Sequence, residues 1–176
     1  MVKASKSVRI IGIDPGYAIV GYGIVDYTGN KFTVADYGAV TTPADMPFDK
    51  RLELIYNSLE LVLKRFEPDT MALEKLFFTT NQKTAIDVAQ ARGVIQLCAI
   101  RNRVEVCEYT PLQVKQSVVG YGKAEKRQVQ QMTKTLLNLD TVPKPDDTAD
   151  ALAIAICHAH SGASSLGGLQ KLLAGR

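Results

Sequence analysis

The sequence predicts one α/β domain, built on a five-stranded mixed sheet with helices on its faces. Three observations support this fold class. Three apolar segments rich in β-branched residues come first, and tight turns separate them. Apolar residues then recur at three- and four-residue steps, the period of an amphipathic helix. Beyond that point strand-like and helix-like segments alternate, which is typical of a sheet covered by helices.

The first three strands are predicted over Val8–Ile13, Ile19–Tyr27 and Phe32–Thr42. The first two end in the turn-forming segments Asp14-Pro15-Gly16 and Thr28-Gly29-Asn30. Because the connections are short, we expect an antiparallel meander.

The rest of the chain alternates between strand and helix. Leu52, Ile55 and Leu59 share one face of a predicted helix. The elements expected are a helix over Phe48–Phe66, a strand over Thr70–Glu74, a helix over Thr80–Arg101, a strand over Val104–Tyr109, a helix capped by Thr110-Pro111, a helix over Glu125–Leu139 and a helix over Asp146–His160. We expect residues 1–160 to form the domain and residues 161–176, which contain Gly and Ser, to form a flexible tail.

Composition narrows the class of protein. With 176 residues and 46% hydrophobic content the chain can bury a core, and its net charge of +3 does not by itself indicate nucleic acid. Three cysteines without a CxxC pair argue against a disulfide framework or a structural zinc site. No run approaches the roughly 18 apolar residues of a membrane helix. We therefore expect a soluble, cytoplasmic protein with reduced thiols.

Four acidic residues stand where a sheet of this kind places its functional sites. Asp14 and Glu74 end predicted strands, and Asp147 and Asp150 are three residues apart at the start of the last helix. Two unit charges about 4 Å apart repel by roughly 4 kcal/mol at an effective dielectric near 20, so a cluster of these carboxylates needs protons or a cation. Oxygen ligands without Cys or His favour Mg²⁺, or Mn²⁺ in its place. Two such ions, about 3.5–4 Å apart, can act together on a phosphodiester.

Each acid also has a structural interpretation. Asp14 can simply begin the Asp-Pro-Gly turn, and Glu74 can be a surface charge at a strand end. Asp146, Asp147 and Asp150 can cap a helix and complement its dipole.

Longer motifs favour the functional interpretation. The segments IIGIDPGYAIVGYGIV, ALEKLFF, QARGVI, YTPLQVKQSVVGYGKAEKRQVQQM and DDTADALAIAICHAH resemble the RuvC family of bacterial Holliday junction resolvases, in the same order and at similar spacing, from about Arg9 to His160. The resemblance implies a ribonuclease H-like fold and metal-dependent nicking of four-way DNA junctions. It also implies that Asp14, Glu74, Asp147 and Asp150 are the catalytic metal ligands. Asp146 is an adjacent additional acid, and the three-residue spacing to Asp150 favours Asp147.

The resemblance also implies DNA contacts. Lys115 and Lys126 fall where the family has basic residues near the catalytic centre, and Lys123 and Arg127 add charge around a Gly-Tyr-Gly loop. Phe77, by its position in the family motif, is expected to stack on unpaired bases. The alternatives are a solvated helix face for the basic residues and core packing for the aromatic one. For His158 and His160 we expect the last turn of a helix, where a charged imidazole complements the dipole.

Three functions are compatible with these motifs: a junction endonuclease, an actin-like ATPase suggested by IGIDPG, and a junction-binding module without catalysis. The chain is too short for the two lobes of such an ATPase, and the four acids argue against a non-catalytic module. Because resolution needs two symmetric nicks, we expect a homodimer. A plausible interface is the helix over Thr80–Arg101, which carries an apolar stripe formed by Ile86, Ala89, Gly93, Val94 and Leu97. The alternative is that this stripe packs against the sheet. The resemblance further implies a role after branch migration by the RuvA and RuvB proteins.

Overall fold

The computed structural model describes residues 7–76 and 82–173 of the chain. Its sheet has five strands in the order β3-β2-β1-β4-β5. They are β1 (Val8–Asp14), β2 (Ile19–Thr28), β3 (Lys31–Thr41), β4 (Thr70–Glu74) and β5 (Glu105–Tyr109). The first three pair antiparallel, whereas β4 runs parallel to both β1 and β5. The predicted mixed sheet is therefore confirmed.

The helices also follow the predicted order. They are α1 (Phe48–Phe66), α2 (Gln82–Arg101), α3 (Pro111–Val119), α4 (Lys126–Leu136) and α5 (Asp146–Leu173). The predicted cap of α3 is present. The Thr110 hydroxyl oxygen accepts a hydrogen bond from the main-chain N–H of Gln113, and the side-chain oxygen of Gln113 accepts one from the main-chain N–H of Thr110. None of the helices within the described residues is long and apolar enough to cross a membrane.

Two core layers lie on opposite faces of the sheet. Alternate residues of β1 and β4 divide between them: Ile10 and Ala72 pack with α3, α4 and α5, whereas Ile11, Ile13 and Leu73 pack with α1 and α2. Because side chains alternate along a strand, the next residue after Ile13 and the next after Leu73 face the α5 side. Those residues are Asp14 and Glu74, so the sheet directs both acids toward α5.

Two helix ends differ from the prediction. Helix α4 stops at Leu136 instead of Leu139, and Asn138 follows in a left-handed conformation with φ of 51°. Helix α5 does not end at His160 but continues to Leu173, because neither Gly162 nor the residues after it break the helical backbone. The domain limit at residue 160 and the flexibility of residues 161–176 stay predictions.

One face of α2 remains exposed to solvent. Ile86, Leu97 and Ile100 are 59%, 53% and 68% exposed, although all three are large and apolar. Gly93 lies between them, and a Cβ added there would meet nothing within 4 Å. Val94 instead packs against the core on the α1 side of the sheet. The stripe predicted on this helix is thus divided between an exposed face and the core.

Candidate active site

Asp14 and Glu74 emerge side by side at one edge of the sheet. They are the last residues of β1 and β4, and the register pairs Ile13 with Leu73, the residues just before them. Both strands are parallel, so their carboxyl ends meet at the same edge. Strands β1 and β4 are therefore neighbours, which is the condition for Asp14 and Glu74 to lie side by side.

Glycines in β1 and β2 bring α5 onto the same edge. A Cβ at Gly12 would lie 2.0 Å from the Ala151 carbonyl oxygen, and one at Gly21 would lie 2.1 Å from the Asp147 carbonyl oxygen. No side chain fits in either place, so the backbone of α5 rests directly on the strands. Gly21 is the register partner of Asp14. The contact therefore brings the first turn of α5, with Asp147, to Asp14.

These glycines are functional residues that the sequence reasoning missed. The close approach of α5 to the sheet needs Gly12, Gly21 and Gly23 in the strands, where an added Cβ would clash with the helix. The signal was available, because glycine inside a strand indicates a bulge or a close backbone approach.

The site is electrostatically unbalanced toward negative charge. Burial, followed by the neighbouring carboxylates Glu74, Asp150 and Asp147, raises the pKa of Asp14 to about 8, and the charge of Lys126 opposes the shift. Burial and the charge of Asp150 likewise raise the pKa of Glu74. Burial raises the pKa of Asp150 even though Lys126 is bonded to it. Glu74, Asp147 and Asp150 are thus close enough to Asp14 to raise its pKa.

Lys126 provides the opposing charge. Its Nζ lies 2.7 Å from Asp150 Oδ2 and 3.9 Å from Asp146 Oδ2. Asp146 is mainly engaged elsewhere, since its Oδ1 lies 2.6 Å from Lys144 Nζ. Asp146 therefore faces lysines, whereas Asp147 is among the neighbours that raise the pKa of Asp14. This division favours Asp147 as the fourth member of the acid cluster.

A cleft of about 260 Å³ opens beside the acids. Two of the acids and two of the predicted basic residues line it together with apolar residues of α3, α4 and α5: Glu74, Pro111, Val114, Lys115, Lys126, Val129, Asp150, Ala153 and Ile154. Lys123 lies in the α3–α4 loop and Arg127 in the first turn of α4; both are exposed and neither lines this cleft. Phe77 lies outside the described residues.

The donor set of the site fits a hard divalent cation. All four candidates are carboxylates, and their surplus negative charge is what such a cation neutralises. In the conformation of residues 7–76 and 82–173, however, no three His, Cys, Asp or Glu side chains surround one point closely enough to hold an ion. The Lys126 ammonium pairs with Asp150 instead.

The interpretation of the histidines as dipole-complementing residues is wrong. Helix α5 continues for thirteen residues beyond His160, so neither histidine lies in its last turn. His158 Nδ1 lies 2.8 Å from the Tyr109 hydroxyl, and burial lowers the pKa of His158, which disfavours the charged form. His160 Nδ1 lies 3.1 Å from Ser117 Oγ. Both rings serve to join α5 to neighbouring elements.

Comparison with known proteins identifies the family. The family model described as crossover junction endodeoxyribonuclease RuvC matches residues 10–158. A crossover junction endodeoxyribonuclease RuvC from Alkaliphilus oremlandii is 62% identical over 153 residues, which cover 87% of this chain and 93% of that protein.

Solved structures give the same result. RuvC from Thermus thermophilus superposes with a TM-score of 0.84 at 35% identity, over 90% of this chain and 97% of that one. The same protein in complex with a Holliday junction substrate gives 0.82 at 33% identity, over 89% and 96% of the two chains. The fold is thus ribonuclease H-like, and the chain belongs to the RuvC family of crossover junction endodeoxyribonucleases.

Proposed function

We propose that the protein resolves four-way DNA junctions by paired symmetric nicks, with Asp14, Glu74, Asp147 and Asp150 as its catalytic metal ligands. The observation that carries this proposal is the gathering of these acids around Asp14, where burial and the three neighbouring carboxylates raise the pKa of Asp14 to about 8 beside an open cleft. Holliday junction DNA is the substrate in the complex of the Thermus relative.

We further propose Mg²⁺ as the cofactor, two ions per site, with Mn²⁺ as a substitute. The four carboxylates would hold them, and the ions supply Lewis-acid chemistry that polarises the scissile phosphodiester and favours ionisation of the attacking water. The protein's own part is to hold the carboxylates on rigid elements at one sheet edge. Its glycine-mediated contact between α5 and the strands fixes their spacing.

Cleavage of a synthetic four-way junction in Mg²⁺, resolved by denaturing electrophoresis, tests the assignment. Asp14→Asn, Glu74→Gln, Asp147→Asn and Asp150→Asn should each abolish nicking while junction binding persists. The matched control is Asp140→Asn, at an exposed aspartate outside the acid cluster, which should cleave normally. Normal cleavage by any of the four variants at saturating Mg²⁺ would remove that residue from the set. Nucleotide hydrolysis without nicking would favour the ATPase alternative.

Lys115 and Lys126 are proposed to contact backbone phosphate beside the scissile bond. Both line the cleft with Glu74 and Asp150, and Lys126 already holds its ammonium against a carboxylate there. Each phosphate contact contributes about 0.9 to the salt slope of duplex binding. Lys115→Ala and Lys126→Ala should flatten the slope or slow cleavage. Lys31→Ala, at the opposite edge of the sheet, is the control; equal slopes and rates in all three variants would support a solvated-surface role.

Lys123, Arg127 and Phe77 complete the proposed DNA contacts. The two basic residues are exposed around the α3–α4 loop, next to the cleft-lining Lys126. Phe77 follows Glu74 by three residues and is proposed to stack on bases opened at the branch point, an interaction worth about 1–3 kcal/mol per base. Phe77→Ala should impair junction processing more than Phe77→Tyr; a steep loss of melting temperature with unchanged cleavage per folded molecule would instead indicate core packing.

A homodimer is proposed as the working unit, with the exposed face of α2 as its interface. One acid cluster serves one phosphodiester, and a two-fold dimer presents two clusters with the symmetry of the junction. Exposed large apolar residues on one helix face are what such an interface buries. Leu97→Asp should shift the mass in sedimentation equilibrium toward 19.2 kDa, whereas Leu61→Asp, at a still more exposed leucine on α1, should not. A wild-type monomer that nicks both strands would exclude the dimer.

The family resemblance supports a proposal about the cellular setting. We propose that the enzyme works in the cytoplasm, after branch migration by the RuvA and RuvB proteins, in recombination and repair.

A further inference from the structure

Arg92 lies beside the candidate active site, and the proposed function gives it no role so far. It belongs to the QARGVI segment in α2, on the face of the sheet opposite α5. Its side chain is only 14% exposed. Its Nε donates to the main-chain carbonyl oxygen of Glu74 at 3.2 Å, and its Nη2 donates to the carboxylate of Glu108.

The Glu74–Lys75 peptide unit is therefore held at both ends. Arg92 engages its carbonyl, and its amide, which is that of Lys75, donates to the Tyr109 carbonyl oxygen at 2.8 Å. Fixing this peptide plane fixes ψ of Glu74. Glu74 is the last residue of β4, and these two hydrogen bonds hold the peptide unit that follows it. The direction in which the Glu74 carboxylate enters the site thus depends on the Arg92 contact together with the hydrogen bond to Tyr109.

Glu108 holds Arg92 in turn. Its Oε1 accepts from Arg92 and also from Gln96 Nε2 at 3.1 Å, one helical turn further along α2. Glu108 is the β5 residue paired with Leu73, so it lies on the α2 face and not on the face of the acid cluster. An arginine suits this place because its planar fork presents two donors in fixed directions, whereas lysine offers a point charge on a flexible stem.

We propose that Arg92 is a positioning residue for the cleavage reaction, which orients Glu74 through its backbone and is itself oriented by Glu108. The inference rests on the proposed function, in which Glu74 is a metal ligand. A merely structural tether between α2 and the sheet would affect stability alone. A positioning residue would also affect the rate of the bound complex and the affinity of the site for metal.

The test uses the full chain with Arg92→Met, Arg92→Lys, Glu108→Gln and the double variant Arg92→Met/Glu108→Gln. Arg101→Met, an exposed arginine later on the same helix, is the control. Four quantities are measured: the single-turnover cleavage rate at saturating enzyme, junction affinity in EDTA, Mn²⁺ affinity without DNA by electron paramagnetic resonance, and the melting temperature.

The expected result separates these quantities. Arg92→Met should slow the single-turnover step by up to about 100-fold, the cost of a misplacement near 1 Å. It should also weaken Mn²⁺ binding, while junction affinity stays at the wild-type value. Compared with Arg92→Met, the Arg92→Lys variant should regain more of the wild-type melting temperature than of the wild-type single-turnover cleavage rate. Because Glu108 acts through Arg92, the double variant should be no slower than Arg92→Met.

Other outcomes overturn the proposal. If Arg92→Met cleaves at the wild-type rate per folded molecule, or if its rate and that of Glu108→Gln multiply in the double variant, Arg92 does not position Glu74. A wild-type protein that binds Mn²⁺ but does not nick junctions would reject the proposed function instead. In that case equal Mn²⁺ affinity of wild type and Arg92→Met would still reject the positioning role.

Discussion

Asp14→Asn should stabilise the protein, and the gain should grow with pH. The pKa of Asp14 is raised to about 8 in the folded protein, against about 3.9 for aspartate in an unfolded chain. Between these two values the folded state keeps a proton that the unfolded state has lost. The free energy of unfolding therefore falls as pH rises through this window, and the fall ends above pH 8.

The magnitude follows from the width of the window. Each pH unit costs at most about 1.4 kcal/mol, so the whole window corresponds to roughly 6 kcal/mol. This figure is an upper bound, because Glu74 and Asp150 titrate together with Asp14. Asparagine cannot ionise, so the free energy difference between variant and wild type should rise by up to about 4 kcal/mol from pH 5 to pH 8.

Urea unfolding in EDTA, followed by circular dichroism at unit pH steps, measures this difference. The chain contains no tryptophan, which makes circular dichroism the suitable signal. The lowered pKa of His158 gives a pH dependence of its own, but it is present in both proteins and cancels in the difference. Asp140→Asn at an exposed position is the control and should show no growing margin. A margin for Asp14→Asn that is the same at pH 5 and pH 8 would refute the electrostatic reasoning.

Two further predictions concern packing and capping. Gly21→Ala forces a Cβ to within 2.1 Å of the Asp147 carbonyl oxygen, so it should cost about 1–3 kcal/mol in urea unfolding and also abolish junction cleavage. Gly162→Ala, where an added Cβ meets nothing within 4 Å, should leave cleavage intact; cleavage by folded Gly21→Ala would show that the contact does not set the acid spacing. Thr110→Ala removes the side-chain acceptor of the α3 cap and should cost about 1 kcal/mol in urea unfolding without a change in its slope; an unchanged midpoint would mean that the capping box contributes nothing.

Much of the site could be predicted because it depends on local pattern. Asp14 and Glu74 end apolar strands, and Asp147 and Asp150 lie three residues apart on a helix, so each pair is visible within a short segment. The parallel pairing of β1 with β4 then joins the segments. The strands of the sheet could also be predicted, because segments rich in β-branched residues and the turn residues between them are local signals.

What could not be predicted depends on contacts between distant residues. The bond between His158 and Tyr109 spans 49 positions, and the one between Arg92 and Glu74 spans 18 and crosses from one face of the sheet to its edge. The local sequence around a histidine near an expected helix end therefore does not show whether its ring complements the helix dipole or is buried and hydrogen-bonded. The end of α5 was predicted at His160 for a different reason. Gly and Ser after that residue lower helix propensity, but they do not exclude a helix, and α5 continues to Leu173.

The acid cluster is held together by packing and against its own electrostatics. Burial and mutual repulsion raise the pKa of Asp14, Glu74 and Asp150, so these groups favour separation or protonation. Burial of apolar residues beside the acids opposes this separation. Ile154 and Ala155 of α5 are at most 1% exposed, and the helix backbone packs directly on β1 at Gly12. The free energy of core formation thus maintains a site that is unfavourable without a cation, a common arrangement where function opposes stability. It follows that replacing Asp14 should remove cleavage and increase stability together, whereas replacing Gly21 should reduce both cleavage and stability.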